Sequence, residues 1–148
     1  MADAPSRRRT ASAGLTLLAL RVVSALVLFE HATAQAWGIP NNPARPFAGP
    51  PAIYSRTWVA SWLELIGGTL IILGLFTRCT AFVLSGLMAF AYFLVHAPVN
   101  FFPVVNRGEP AVLLCFIFLY LSAAGAGPYS IDALWSTRRA SAPPTPSD

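Results

Sequence analysis

The sequence predicts an all-α protein, a four-helix transmembrane bundle with both termini in the cytoplasm, and three observations carry that expectation. The 148-residue chain is 55% hydrophobic and only 11% charged, with a mean hydropathy of +0.59, which is far from the composition of a soluble globular domain. Its 13 prolines punctuate the chain and leave four apolar stretches between them. The basic residues, all arginine, outnumber the acids to give a net charge of +4, and they cluster at the chain ends and between apolar runs. That placement signals topology and offers no continuous basic face, so nucleic acid is excluded as a partner and the lipid bilayer is the first one.

The expected elements run over 14–37, 57–76, 79–97 and 109–125, each close to the ~20 residues that cross ~30 Å of hydrocarbon. The first raises a choice. Arg7, Arg8 and Arg9 before an apolar run, with small residues at Ala32, Ala34 and Ala36, resemble a cleavable signal peptide. Arg21 interrupts the run and Glu30 and His31 precede the cleavage point, so a retained helix is favoured, with Arg21 snorkelling to the cytoplasmic face. The segment "GLFTR" at 74–78 makes a very short turn between the second and third helices. Pro110 suits the first turn of the fourth, where its missing N–H costs nothing. The polar, Pro/Ser/Ala-rich ends, 1–13 and 136–148, are expected to be disordered tails around a membrane domain at 14–135.

With the N-terminus inside, the cytoplasmic side collects Arg7, Arg8, Arg9, Arg78, Arg138 and Arg139 against Arg45, Arg56 and Arg107 outside, the bias of a multi-pass inner-membrane protein. The ionisable residues then sort by depth. Glu30 and Glu64 each lie about seven residues, or ~10 Å, below the outer surface. His31 adjoins Glu30, His96 closes the third helix and Glu109 opens the fourth. Acids at that depth face the interior of a bundle and mark a site. Periodicity sets Ser85, Ala89, Tyr92 and His96 on one face of the third helix, and Glu109, Leu113, Phe116 and Tyr120 on one face of the fourth. Gly67 and Gly68, one turn past Glu64, allow a neighbouring helix or a flat ligand to approach closely. The expectation is a polar, aromatic-walled pocket open to the outer side. Arg21 is out of phase with Glu30 and is assigned a structural partner near the inner face, Asp132.

Each assignment competes with a plainer one. Glu30 and Glu64 also suit packing bonds between helices, His96 a helix end, Glu109 a helix N-terminus, and Tyr92, Phe116 and Tyr120 ordinary packing. Cys79 and Cys115 fall at different depths, too far apart for a disulfide, and no C-x-x-C is present. The histidines and acids lack helix-borne metal spacing, so no metal is assigned; haem held by two histidines on different helices is a minor alternative.

Three blocks, "WLELIGGTLIILGLFTR" (62–78), "MAFAYFLVHAPVNFFPVVNRGEPAVLL" (88–114) and "GAGPYSID" (125–132), together resemble the DoxX family of small four-helix membrane proteins. The matching positions are Glu64, Gly67, Gly68, Arg78, His96, Gly108, Glu109, Gly125, Gly127, Tyr129, Ser130 and Asp132. The first loop, "GIPNNPARPFAGPPAIYSRT", departs from the pattern in its proline content. The resemblance implies the fold and a place near membrane redox systems, since family members are similar to membrane subunits of thiosulfate:quinone oxidoreductase. The expected function is thus a membrane subunit of a quinone-linked redox or oxidative-stress system, not catalytic alone. The cofactor stays open, a quinone being the one this reading suggests beside haem; a redox protein is its partner, and Glu64 and His96 form its proton relay beside Glu30, His31, Tyr92, Glu109, Phe116 and Tyr120. The competing expectation is a non-catalytic scaffold that docks partner proteins.

Overall fold

The computed structural model describes residues 4–41, 43 and 47–140, which form helices joined by loops, with no strand among them. Six helices follow in order: α1 (Ala4–Trp37), α2 (Arg56–Leu73), α3 (Thr77–Ala91, continued by a widened turn over Tyr92–His96), the short α4 (Pro103–Asn106), α5 (Glu109–Ala124) and α6 (Ile131–Ala140). Three segments, Ala11–Trp37, Arg56–Leu73 and Thr77–His96, are long and apolar enough to cross a membrane. The fourth, α5, has 16 residues, about 24 Å of helix, and lies along α3.

The bundle is two antiparallel pairs. α1 packs on α2, α3 on α5, and the pairs meet chiefly through α2 and α3. Lipid tails are as apolar as the side chains they would replace, so close approach and hydrogen bonds between helices, ~0.6–2 kcal/mol each, hold such a bundle together. The buried faces follow that rule. On α1 the buried line is Arg21, Ser24, Ala25, Leu28 and Ala32; on α2 it is Ser61, Glu64, Leu65, Gly67, Gly68 and Ile71. A Cβ on Gly67 would stand 2.8 Å from Leu84 Cδ2, and one on Gly68 would stand 3.5 Å from the Ala25 carbonyl. These glycines therefore set the approach of α3 and α1 to α2. Ala25, Leu28, Ile71, Ala81, Leu84, Met88, Leu114, Phe118 and Leu121 make the central core.

Between α2 and α3 only Gly74, Leu75 and Phe76 intervene. The turn is possible because Gly74 adopts a left-handed conformation (φ 67°) and closes α2 with bonds from its own N–H to Ile71 O (3.1 Å) and from Leu75 N–H to Leu70 O (3.0 Å). A side chain at Gly74 would collide with Arg21 Nη1 and Ser130 Cβ. This turn, the C-terminus of α5 and the start of α6 form one end of the molecule, here the turn end. The loop after α1, the start of α2, the end of α3 and α4 form the opposite, loop end.

The ends differ from expectation. α1 begins at Ala4, so 4–13 continues the helix where a disordered tail was expected; Pro5 suits a first turn, and the alanines and arginines that follow are good helix formers. α6 runs to Ala140 and also carries helix beyond 136, while 141–148 lie outside the described residues, as does Arg45.

Candidate functional site

The turn end is a hydrogen-bonded lock. Arg21 is 1% exposed and does not snorkel. It donates to Ala126 O (2.6 Å), Tyr129 O (2.7 Å) and Ile72 O (3.5 Å), which joins α1 to α2 and to the segment after α5. Its assigned partner, Asp132, lies close enough to favour the Arg21 charge, but its two carboxylate oxygens accept from Phe76 N and Thr77 N, both at 2.9 Å, and cap the N-terminus of α3. Asp132 N–H in turn donates to Gly74 O (2.9 Å). Arg78 donates to Ala123 O (2.6 Å) and Ser122 O (3.3 Å) at the C-terminus of α5. Arginine forks suit this work because one planar group reaches several carbonyls. An open cleft of about 590 Å³ lies beside the lock, bordered by Arg78, Cys79, Asp132 and Ser136.

The middle of the bundle holds Glu64. It is 2% exposed, and its Oε2 has no hydrogen-bond partner. Contacts of Gly68 with Ala25 and Phe29 place Glu64, one turn toward the loop end, near the level of Phe29 and Ala32. A carboxyl so enclosed costs several kcal/mol unless it is protonated or meets a ligand.

Above Glu64 the loop end opens into a cavity of about 200 Å³. Trp37, Trp58 and Trp62 wall it, Pro50, Pro51 and Ile53 of the first loop close it, and Ser61 and Leu65 line its α2 side. The indoles stand edge to face, Trp37 and Trp62 with centroids 6.3 Å apart and planes at 86°, Trp58 and Trp62 at 6.1 Å and 61°. Ser61, one turn from Glu64, donates to Thr57 O (2.9 Å) and keeps acceptor capacity.

At the same end a second polar group caps α3 and α5. The turn over Tyr92–His96 is widened by an Ala97 N–H to Tyr92 O bond of 2.8 Å, five residues back. Such π turns re-aim side chains within a helix. Here Tyr92 and His96 stack, with planes at 22°. His96 Nδ1 lies 3.1 Å from Asn106 O, a carbonyl that can only accept, so Nδ1 is the donor. Asn106, 8% exposed, donates to Asn100 O (2.6 Å) and accepts from Gly108 N (2.7 Å), while Tyr92 OH donates to Phe101 O. α4 and its neighbours thus lie over the His96 end, and Gly108 permits it, because a Cβ there would meet Tyr92 ring atoms at 2.9 Å.

The expected single pocket is therefore not assembled. Gly67 against Leu84 fixes the register of α2 and α3, and counting along both helices puts His96 about 13 Å beyond Glu64 toward the loop end. Glu30 and His31 are exposed, because both lie off the buried line through Leu28 and Ala32, and His31 contacts the Gln35 amide on its own helix. Glu109, Phe116 and Tyr120 are exposed as well: α5 buries Ala111, Leu114, Phe118 and Leu121 instead. Of the expected aromatic wall only Tyr92 is buried, and it belongs to the cap. The walls that do form come from tryptophans 58 and 62, one turn apart on α2, and from Trp37. The four-residue spacing of Trp58 and Trp62 was the signal the sequence offered. Among the described residues no group of three or more His, Cys, Asp or Glu is placed to hold a metal ion, and His31 and His96 make their bonds with different groups on different helices.

A bundle of long apolar helices, an arginine-locked end and a buried carboxyl define a small polytopic membrane protein. The DoxX family model matches residues 16–97, and the chain belongs to the DoxX family. It is 40% identical over 118 residues, 76% of this chain and 85% of the other, to an uncharacterised protein of Haemophilus influenzae. No solved structure matches.

Proposed function

We propose that this protein is the membrane subunit of a quinone-linked redox system in the bacterial inner membrane, with its termini in the cytoplasm and Glu64 as the proton-carrying group. The observation that carries the reading is the Glu64 carboxyl, enclosed at mid-depth with Oε2 unpartnered, one turn from the tryptophan-walled cavity. The residues suit a quinone: the cavity has the room of a single flat ring, three indoles offer faces and edges, and Ser61 offers a hydroxyl. A quinone supplies two-electron, two-proton chemistry, and the electrons come from a partner protein with its own redox centre.

The chain's own part is to bind, exclude water and hold a proton. Protonated Glu64 is neutral and stable in its apolar surroundings, and it can pass its proton toward Ser61 and the cavity. Gly67 and Gly68 seal the site from the turn end by bringing three helices into contact. His96 stands apart from this site and positions the cap through Asn106.

The test uses membranes containing the full chain and its co-purified partner. Glu64→Gln keeps shape and burial, so protein level and melting are expected to stay unchanged while quinone reduction falls at least 100-fold. A scaffold would lose nothing in activity beyond what it lost in folded protein, and that result would remove the redox reading.

A further inference from the structure

We propose that the outward face of α1 is a homodimer interface within the bilayer, closed about a two-fold axis along the membrane normal. The face is built of Val23, Val27, Glu30, Ala34 and Trp37. All but the half-buried Ala34 are exposed, Val23 at 59% and Val27 at 45%. Their spacing alternates four and three residues, the heptad repeat of helices that pair in parallel. The outward faces of α3 and α5 carry Phe82, Phe90, Leu113 and Phe116, which lipid satisfies. Glu30 differs. It sits about seven residues below Trp37 on a membrane span and turns its carboxyl away from its own bundle. A hydrogen-bonding group in hydrocarbon needs a partner at its own depth.

A second copy supplies that partner by symmetry. Rotation about an axis normal to the membrane leaves depth unchanged, so residue 30 of one copy meets residue 30 of the other. In the heptad, 27 and 34 take one core position and 23, 30 and 37 the other, which makes position 31 the flanking residue. A knob at Glu30 then enters a hole formed by the second copy's positions 27, 30, 31 and 34. Acid meets imidazole across the axis twice, once from each side. A single polar residue in an otherwise apolar seam fixes register and favours the dimer over larger assemblies.

The experiment counts bleaching steps of the full chain, carrying a fluorescent protein at its C-terminus, in lipid vesicles at low protein density. Two-step bleaching is expected to dominate. Glu30→Leu should weaken dimerisation at least ten-fold, Glu30→Gln should retain it, and His31→Ala should weaken it at least three-fold; both residues face outward, so helical content stays unchanged. In a Cys79→Ser, Cys115→Ser background, Val27→Cys and Ala34→Cys should each cross-link between copies, whereas Phe82→Cys should not. Single-step bleaching of the unmodified chain, a Glu30→Leu chain as dimeric as the parent, or cross-linking as strong at 82 as at 27 overturns the proposal.

Discussion

Arg21 is costly where it stands and is kept by what it bonds. Translocon scales charge ~3 kcal/mol for an arginine at mid-helix, and the carbonyls of Ala126 and Tyr129 offset that cost. Arg21→Ala strands both acceptors in a buried setting and is expected to destabilise the bundle by about 3 kcal/mol, read as a fall in melting temperature in detergent. Arg21→Lys should recover less than half of it, because an ammonium lacks the fork that reaches both carbonyls. The arginine was visible in the sequence as an interruption, but its partners were not. A guanidinium that snorkels and one that locks carbonyls from a segment about 105 residues away leave the same trace in the chain. The same limit applied to Glu30 and Glu64, equal in depth and opposite in direction.

At the scale of the element, α3 and α5 show what periodicity can and cannot settle. On α3 the face through Ser85, Ala89, Tyr92 and His96 has Ser85 and Tyr92 buried and Ala89 and His96 half-buried, so most of it was legible. α5 is apolar all round; nothing in "EPAVLLCFIFLYLSAA" marks a polar stripe, and the face through Glu109, Phe116 and Tyr120 was chosen by an acid that sits only at the helix start. The π turn over Tyr92–His96 leaves no sequence signal at all. Glycines give the sharper contrast. Gly86 has open space where a Cβ would go, so Gly86→Ala is expected to be neutral or to stabilise by about 0.5–1 kcal/mol. Gly67→Ala must displace Leu84 and is expected to cost about 1–3 kcal/mol in the same melting assay. Equal effects of the two would mean that α2 and α3 do not meet at Gly67.

For the whole molecule, composition and proline spacing were enough for an all-helical membrane bundle, because both report the solvent the chain lives in. If α5 crosses with the three longer spans, both termini fall on one side, and compartment-sensitive reporters fused to either end are expected to agree and to report the cytoplasm, the side the arginine bias predicts. Disagreement between the two reporters would show that α5, with its 16 residues, does not cross. N-terminal sequencing of the membrane-extracted protein is expected to find residues upstream of Arg21, since a chain trimmed after Ala36 would lack α1 and one side of the lock.

The segment 125–132 is the last part of the membrane domain to be synthesised, yet it accepts from Arg21 of the first helix and, through Asp132, caps the third. The packing of α1 on α2 and of α3 on α5 does not involve this stretch, whereas the ties of Arg21 to Ala126 and Tyr129 and of α3 to Asp132 do. A chain that stopped at Ala124 would therefore keep its spans and their packing but leave Arg21 buried without these two carbonyls and α3 without its Asp132 cap.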